Sequence, residues 1–313
     1  MRDKWIFHGD ETYNLAPYQY PWAATMAEHS LANHWTPKEV PMGTDKACFE
    51  HDLSPEERHL FVNTFASLTT SDRAIAENLC LRIYSLVKAA EIRYYIERQI
   101  AEEGIHSVSY QHVIEVLGLD QKETYSRYRT VPAIKQWFDF AAEMAQTQDI
   151  LLFLIFYYAI WEGVWFPTAF AAIYSLHRRN KMTGTGQQIQ YIHRDETMHI
   201  GFGIKLINAG SVEMGTRPDP ETVRGLFAQA MERLDTWAKY CIPSVLGYNA
   251  ELHMQHARWL ANKRLRQLGY AALYHVEEPP LPWLDEMASI KKEKNFFESR
   301  VIEYQSSASL KWD

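Results

Sequence analysis

Two copies of a Glu-x-x-His pattern, Glu103-Gly-Ile-His106 and Glu196-Thr-Met-His199, lie inside long stretches of helical periodicity and constrain this chain more than any other feature. Positions three apart in a helix share a face about one turn apart, so each pair aims a carboxylate and an imidazole at one point. Two such pairs, with one further acid from each of two other helices, form the ligand pattern of four-helix bundles that hold two iron or manganese ions. The chain supplies both acids. Asp72 sits at helical spacing between Leu68 and Ala76, and Glu162 interrupts the most apolar stretch, which runs from Ile150 to Trp161. A charge placed there is costly to bury without a partner, and a metal cation is a suitable one. A single Glu-x-x-His commonly marks a solvated helix face, whereas two copies that each follow an acid on an apolar helix point to a dinuclear site. Glu102 competes with Glu103, because Glu102 and His106 are four apart and also share a face; the match to the second pair favours Glu103.

At 313 residues and 47% hydrophobic, the chain can bury a large core. The ligand candidates run from Asp72 to His199, so no domain boundary falls between them. The expected organisation is one helical domain over residues 1–290 and a flexible C-terminal tail over 291–313, whose polar and charged composition suits no packed element. A net charge of −7 and no Lys/Arg-rich run with interleaved aromatics argue against direct nucleic-acid binding. Cys48, Cys80 and Cys241 are widely separated and odd in number, which fits reduced thiols in the cytoplasm better than a disulfide framework. The N-terminus lacks the apolar core of a signal peptide, and the Ile150–Trp161 run is too short to span a bilayer.

Strand signals are scarce and helical ones dominate. Ser54-Pro55-Glu56-Glu57 reads as an N-cap, a first-turn proline and first-turn acids, opening a helix through Asp72 into the late 80s. A second helix begins near Glu91 and runs to about Leu117, where Gly118 can end it. Stretches near 120–129 and 132–147 follow. The Glu162 helix contains Pro167, which removes a backbone hydrogen bond and should kink or loosen it. Thr183-Gly-Thr-Gly186 reads as a loop before a helix from Gln187 to Ala209, and Gly215 through Pro220 as a break before one or two more helices over 220–270. His253 and His256 are expected to be ordinary surface or core histidines. The fold class is all-α: a ferritin-like four-helix bundle with flanking helices and a flexible tail.

Four carboxylates and two imidazoles suit Fe(II) or Mn(II) better than zinc, which prefers fewer ligands and often sulfur. Tyr110 lies four residues beyond His106, so its phenol falls on the ligand face. Phe166 and Phe170 follow Glu162 at four and eight, and Ile192 precedes Glu196 by four, so all three are expected to wall the same pocket. A dry apolar wall beside a phenol would protect an oxidised tyrosine; a plain core stripe has the same spacing.

These motifs, TTSDRAIAENL, AEEGIHSVSYQHV, IWEGVWF and HRDETMH, resemble those of the small, radical-generating subunit of class I ribonucleotide reductase, and the similarity runs from His34 to Tyr304. The resemblance implies Asp72, Glu103, His106, Glu162, Glu196 and His199 as metal ligands and Tyr110 as the radical tyrosine. It also implies an electron route through His199, Asp195, Trp35 and the tail residue Tyr304 to a separate large catalytic subunit that makes deoxyribonucleotides. The tail, FFESRVIEYQ, resembles the branch that replaces the radical tyrosine with phenylalanine and uses manganese and iron, yet Tyr110 is present here. The implied cofactor is a pair of metal ions, Fe/Fe or Mn/Mn, with Mn/Fe as the mixed form, and no organic cofactor. The implied partners are the large subunit, a second copy of the chain in a homodimer and, for a manganese pair, a flavodoxin-like activase. A stand-alone dimetal oxidase or monooxygenase, a ferroxidase and a metal store would use much the same ligands.

Overall fold

The computed structural model describes residues 5–9 and 13–289, and among these it has no strand, only an isolated bridge between Val245 and Tyr248. Nine longer helices order the described residues: α1 Pro21–Ala32, α2 Pro55–Asn78, α3 Ala90–Leu117, α4 Gln121–Thr130, α5 Pro132–Met144, α6 Ile150–His177, α7 Thr183–Met214, α8 Pro220–Cys241 and α9 Ala250–Gln267. The short α10, Leu284–Ala288, follows. Ser54 opens α2 with a full capping box, its side chain accepting from Glu57 N while Glu57 reaches back to Ser54 N. Gly118 closes α3 at φ +68°, a left-handed conformation that glycine adopts without strain.

Four helices close a ring: α2 packs on α3, α3 on α7, α7 on α6 and α6 on α2. The core runs through the middle of this ring, and α6 is its most apolar member. That helix is long and apolar enough to cross a membrane by length and composition, but 89% of its most apolar window is buried, as befits a core helix. The 12-residue run seen in the sequence is therefore only the first part of a longer buried helix.

Two local features depart from the sequence reading. Thr183–Gly186 is the first turn of α7 and not a loop. Its start is capped by a distant residue: buried Asp45 accepts from Gly184 N (2.9 Å), Thr185 N and the Thr185 hydroxyl (both 2.7 Å). The glycines are there for space, since a Cβ on Gly184 would meet the Pro41 carbonyl and one on Gly186 would run into the His177 ring. The second departs in form only: the kink or loosening expected of Pro167 is a continuous π-helix over Ile155–Trp165, before the α-helix resumes at Phe166. Pro167 has no N–H to give the Gly163 carbonyl, and Arg264 Nε from α9 donates to that oxygen at 2.9 Å. The Thr168 hydroxyl donates to the carbonyls of Val164 (3.0 Å) and Trp165 (2.8 Å). The missing donor is thus replaced from outside the helix, and the widened turn stays in place around Glu162.

Candidate metal centre

Each ring helix brings candidate ligands to the same level of the bundle: Asp72 from α2, Glu103 and His106 from α3, Glu162 from α6, Glu196 and His199 from α7. All six are fully buried. They form two sets of donor atoms that lie within 4.8 Å of one another: Asp72, Glu103, His106 and Glu196, and then Glu103, Glu162, Glu196 and His199. Glu103 and Glu196 belong to both sets, as bridging carboxylates between two ions would.

The two imidazoles turn their Nδ1 atoms inward. His106 Nδ1 is 3.2 Å from Glu196, 3.5 Å from Glu103 and 3.7 Å from Asp72. His199 Nδ1 is 3.2 Å from both Glu103 and Glu196. Each outward Nε2 meets a different acid. His106 Nε2 is 3.3 Å from Asp195 Oδ2, and His199 Nε2 is 2.9 Å from Glu102 Oε2. An outer carboxylate of this kind fixes which ring nitrogen carries the proton and leaves the other free to bind a metal.

Both oxygens of Asp72, both of Glu103, one each of Glu162 and Glu196, and Nδ1 of His106 are buried with no hydrogen-bond partner. Orphaned polar atoms at this density are rare in a folded interior and costly unless a ligand satisfies them. Two divalent cations would satisfy them and balance the four carboxylates, so the donor set fits the metal pair implied by the sequence.

The electrostatics of the metal-free chain say the same. Burial, and after it the Glu103 carboxylate, pushes Asp72 well above the usual carboxylate range; burial and then Glu196 do so for Glu162. Burial would lower His106 and His199, but the surrounding carboxylates outweigh it and raise both. Glu196 is held below its ordinary value despite burial, chiefly by His199. The four raised groups hold their protons more tightly folded than unfolded, so their contribution to stability is present at low pH and lost as pH climbs through the raised values. Melting of metal-free protein should therefore give a Tm that falls from about pH 7 to about pH 9, a range in which His193, His253 and His256, lowered by burial and acting in the opposite sense at lower pH, are neutral both folded and unfolded; a metal-loaded chain should gain over the same range, since ligands must be deprotonated to bind. A metal-free Tm that is flat or rising over that span contradicts this assignment.

Tyr110 is fully buried and its hydroxyl has no hydrogen-bond partner. Burial and then the Asp72 charge raise its pKa well above the usual value, so it is a neutral phenol. Phe65 meets its ring edge-on at 5.3 Å, a contact the sequence reading missed because Phe65 lies on another helix. Phe166, Phe170 and Ile192 are all fully buried; Phe166 and Phe170 stack on each other at 5.8 Å, and Phe170 also reaches His193 at 5.3 Å.

Trp35, 2% exposed, follows α1 and donates from Nε1 to Asp195 Oδ2 at 2.7 Å. The same oxygen faces His106, so Asp195 joins Trp35 to His106 and not to His199 as the sequence reading expected. The other Asp195 oxygen accepts from Arg194 Nε at 3.0 Å and Nη2 at 2.8 Å. Trp35 also stacks on Tyr191 at 5.0 Å. Glu102, the rival to Glu103, belongs to neither donor set; it faces His199 Nε2 from outside the cluster and accepts in turn from the Ser30 hydroxyl. Gln99, also missed, donates to Glu162 Oε1 at 2.9 Å and accepts from the Tyr158 hydroxyl at 3.0 Å. Tyr304 and the tail over 291–313 lie outside the described residues.

Comparison with known proteins points one way. The family model described as "Ribonucleotide reductase, small chain" matches residues 12–280. The chain is 36% identical over 319 aligned residues to the "Ribonucleoside-diphosphate reductase subunit beta" of Chlamydia pneumoniae, an alignment covering 95% of this chain and 91% of that protein. Among solved structures, the ribonucleotide reductase R2 subunit of Clostridium botulinum superposes with a TM-score of 0.83 at 26% identity, covering 91% of this chain and 94% of that one. A putative class I ribonucleotide reductase from Bacillus halodurans gives 0.79 at 25% identity, covering 85% and 99%.

Proposed function

The chain belongs to the ribonucleotide reductase small-chain family, and from that premise we propose that Tyr110 and the Trp35–Asp195–His106 array store and pass on an oxidising equivalent made at the dimetal site. As a small subunit of ribonucleoside-diphosphate reductase it generates the oxidant, and a large catalytic subunit reduces the nucleotide. Asp72, Glu103, His106 and Glu196 would hold one ion, and Glu103, Glu162, Glu196 and His199 the other. Iron or manganese held by these residues would supply the oxidising power, by chemistry with O₂ or a reduced oxygen species.

The protein's own part is protection and routing. Tyr110 would give up an electron from a dry site, and Asp72, the carboxylate whose charge acts most on its phenol, is the candidate acceptor for the proton. Asp195 keeps Trp35 and His106 on one oxygen, so electron and proton movement at Trp35 would be coupled to the His106 imidazole. The last described residue, Ser289, lies with Asn33, Tyr191 and Arg194 around one surface recess, so the chain enters the segment that carries Tyr304 beside the relay. In our proposal Tyr304 passes the equivalent to the large subunit, residues 291–313 dock there, and the chain works in the cytoplasm as a homodimer. A manganese pair would add a flavodoxin-like activase.

The contact that carries this reading is the shared Asp195 oxygen, because a stand-alone oxidase or a ferroxidase needs no buried tryptophan wired to a ligand histidine. Protein reconstituted separately with iron and with manganese should show a tyrosyl signal by electron paramagnetic resonance. That signal should vanish in Tyr110→Phe with metal content unchanged. Full nucleotide reduction by Tyr110→Phe would place the oxidant on the metals instead.

A further inference from the structure

A cavity of about 570 Å³ lies between α7, α9 and the segment leading into α10, and none of the six candidate metal ligands lines it. Its lining includes His193 and Thr197 from α7, His256, Lys263 and Arg264 from α9, and Asp285 from α10. Arg264 is only 7% exposed. Among the described residues no carboxylate pairs with it: its polar contacts are Gly163 O through Nε, and Gln267 Oε1 through Nη1 at 2.9 Å. A buried cation without a counter-charge costs several kcal/mol. The service it renders α6, one N–H for the Gly163 carbonyl, could be done by a neutral donor, so the charge itself is left unexplained.

The neighbours sharpen the point. His256, 2% exposed, has both ring nitrogens without a partner. Burial is the first cause that lowers the pKa of His193, to about 4, and of His256, to about 3. Both rings are therefore neutral at physiological pH, and the charged groups at the cavity are Lys263, Arg264 and Asp285, with Glu196 acting on His193 from within the bundle. Two cations against one cavity acid leave an excess of one positive charge.

We propose that this cavity is a binding site for a small oxyanion, a phosphate or carboxylate group, held by Arg264 and Lys263. A guanidinium presents a planar fork suited to two oxygens of one group, which favours an oxyanion over a spherical halide. Because Arg264 also donates to Gly163, next to the ligand Glu162, the occupant would sit one residue from the metal centre's own helix turn.

Calorimetric titration of the full chain with inorganic phosphate, and separately with acetate, tests this against sodium chloride at equal ionic strength. At least one oxyanion should give saturable binding and raise the Tm beyond the chloride control. Arg264→Gln, which retains a donor for Gly163, should lose the saturable heat, and Lys263→Met should bind about tenfold more weakly. Equal effects of oxyanion and chloride, or wild-type affinity in Arg264→Gln, would overturn the proposal. Should Arg264→Gln not fold, unchanged affinity in Lys263→Met overturns it equally, since that side chain is exposed at the rim and its loss spares the core.

Discussion

Glu196→Ala should empty both metal positions at once, whereas Asp72→Asn should weaken one position and leave the other occupied. The difference follows from the sharing of ligands: Glu196 belongs to both donor sets and Asp72 to only one. Losing even an outer partner of a metal ligand typically costs about 10–100-fold in affinity, so removing a shared inner ligand should cost at least that at each position. The metal-free proteins should move in opposite directions. Asp72 has two buried oxygens without partners and a pKa raised first by burial and then by Glu103, so an uncharged isostere relieves the cluster by about 1 kcal/mol. Glu196 is the acid that His199 and His106 hold in its charged form, and its loss leaves two imidazoles short of a partner. Metal-free Asp72→Asn should therefore melt above the wild type and metal-free Glu196→Ala below it. Elemental analysis and thermal melts on the same preparations check both signs. Two ions retained by Glu196→Ala, or a lowered Tm in metal-free Asp72→Asn, would count against the shared-ligand geometry.

The second large effect falls on the relay. Asp195→Asn and Trp35→Phe should each bring nucleotide reduction with the large subunit down to background while the tyrosyl signal still forms. Asp195 is 3% exposed and one of its oxygens serves both the tryptophan and the imidazole. An amide keeps the shape but cannot be a carboxylate acceptor for both donors while also facing Arg194. With His106 as a proposed inner ligand, Asp195→Asn should also weaken metal at its position by about 10–100-fold, whereas Trp35→Phe should leave metal content untouched. Trp35→Phe is thus the cleaner test. Turnover near the wild-type rate in that variant would mean that the oxidising equivalent leaves by another path.

The convergence of the six candidate ligands was legible because helix geometry turns spacing into direction: a separation of three positions from Glu103 to His106, and from Glu196 to His199, suffices to aim each pair. The helix containing Glu162 was legible from its unbroken apolar run. What could not be read was anything that depends on which helix lies beside which. Asp195 and His199 are four apart on α7, and that closeness suggested a link; across the bundle, however, Asp195 meets His106 of α3, while His199 turns its outer nitrogen to Glu102. The same limit hid Phe65 behind Tyr110 and Gln99 beside Glu162. At Thr183–Gly186 two glycines signalled a loop by local preference, yet Asp45, far away in sequence, caps the backbone there and the glycines make room for Pro41 and His177. The π-helix was foreshadowed by Pro167, but its stabilisation by Arg264 needed the tertiary fold.

The central claim, that six side chains from four helices hold two redox ions, is tested most directly by anomalous diffraction from crystals of the full chain loaded with manganese or iron and measured at each metal's edge. Two peaks are expected, one within bonding reach of Asp72, His106, Glu103 and Glu196, the other of Glu162, His199 and the same two bridging glutamates. A single peak, or a pair that leaves Glu103 and Glu196 uncoordinated, would contradict it.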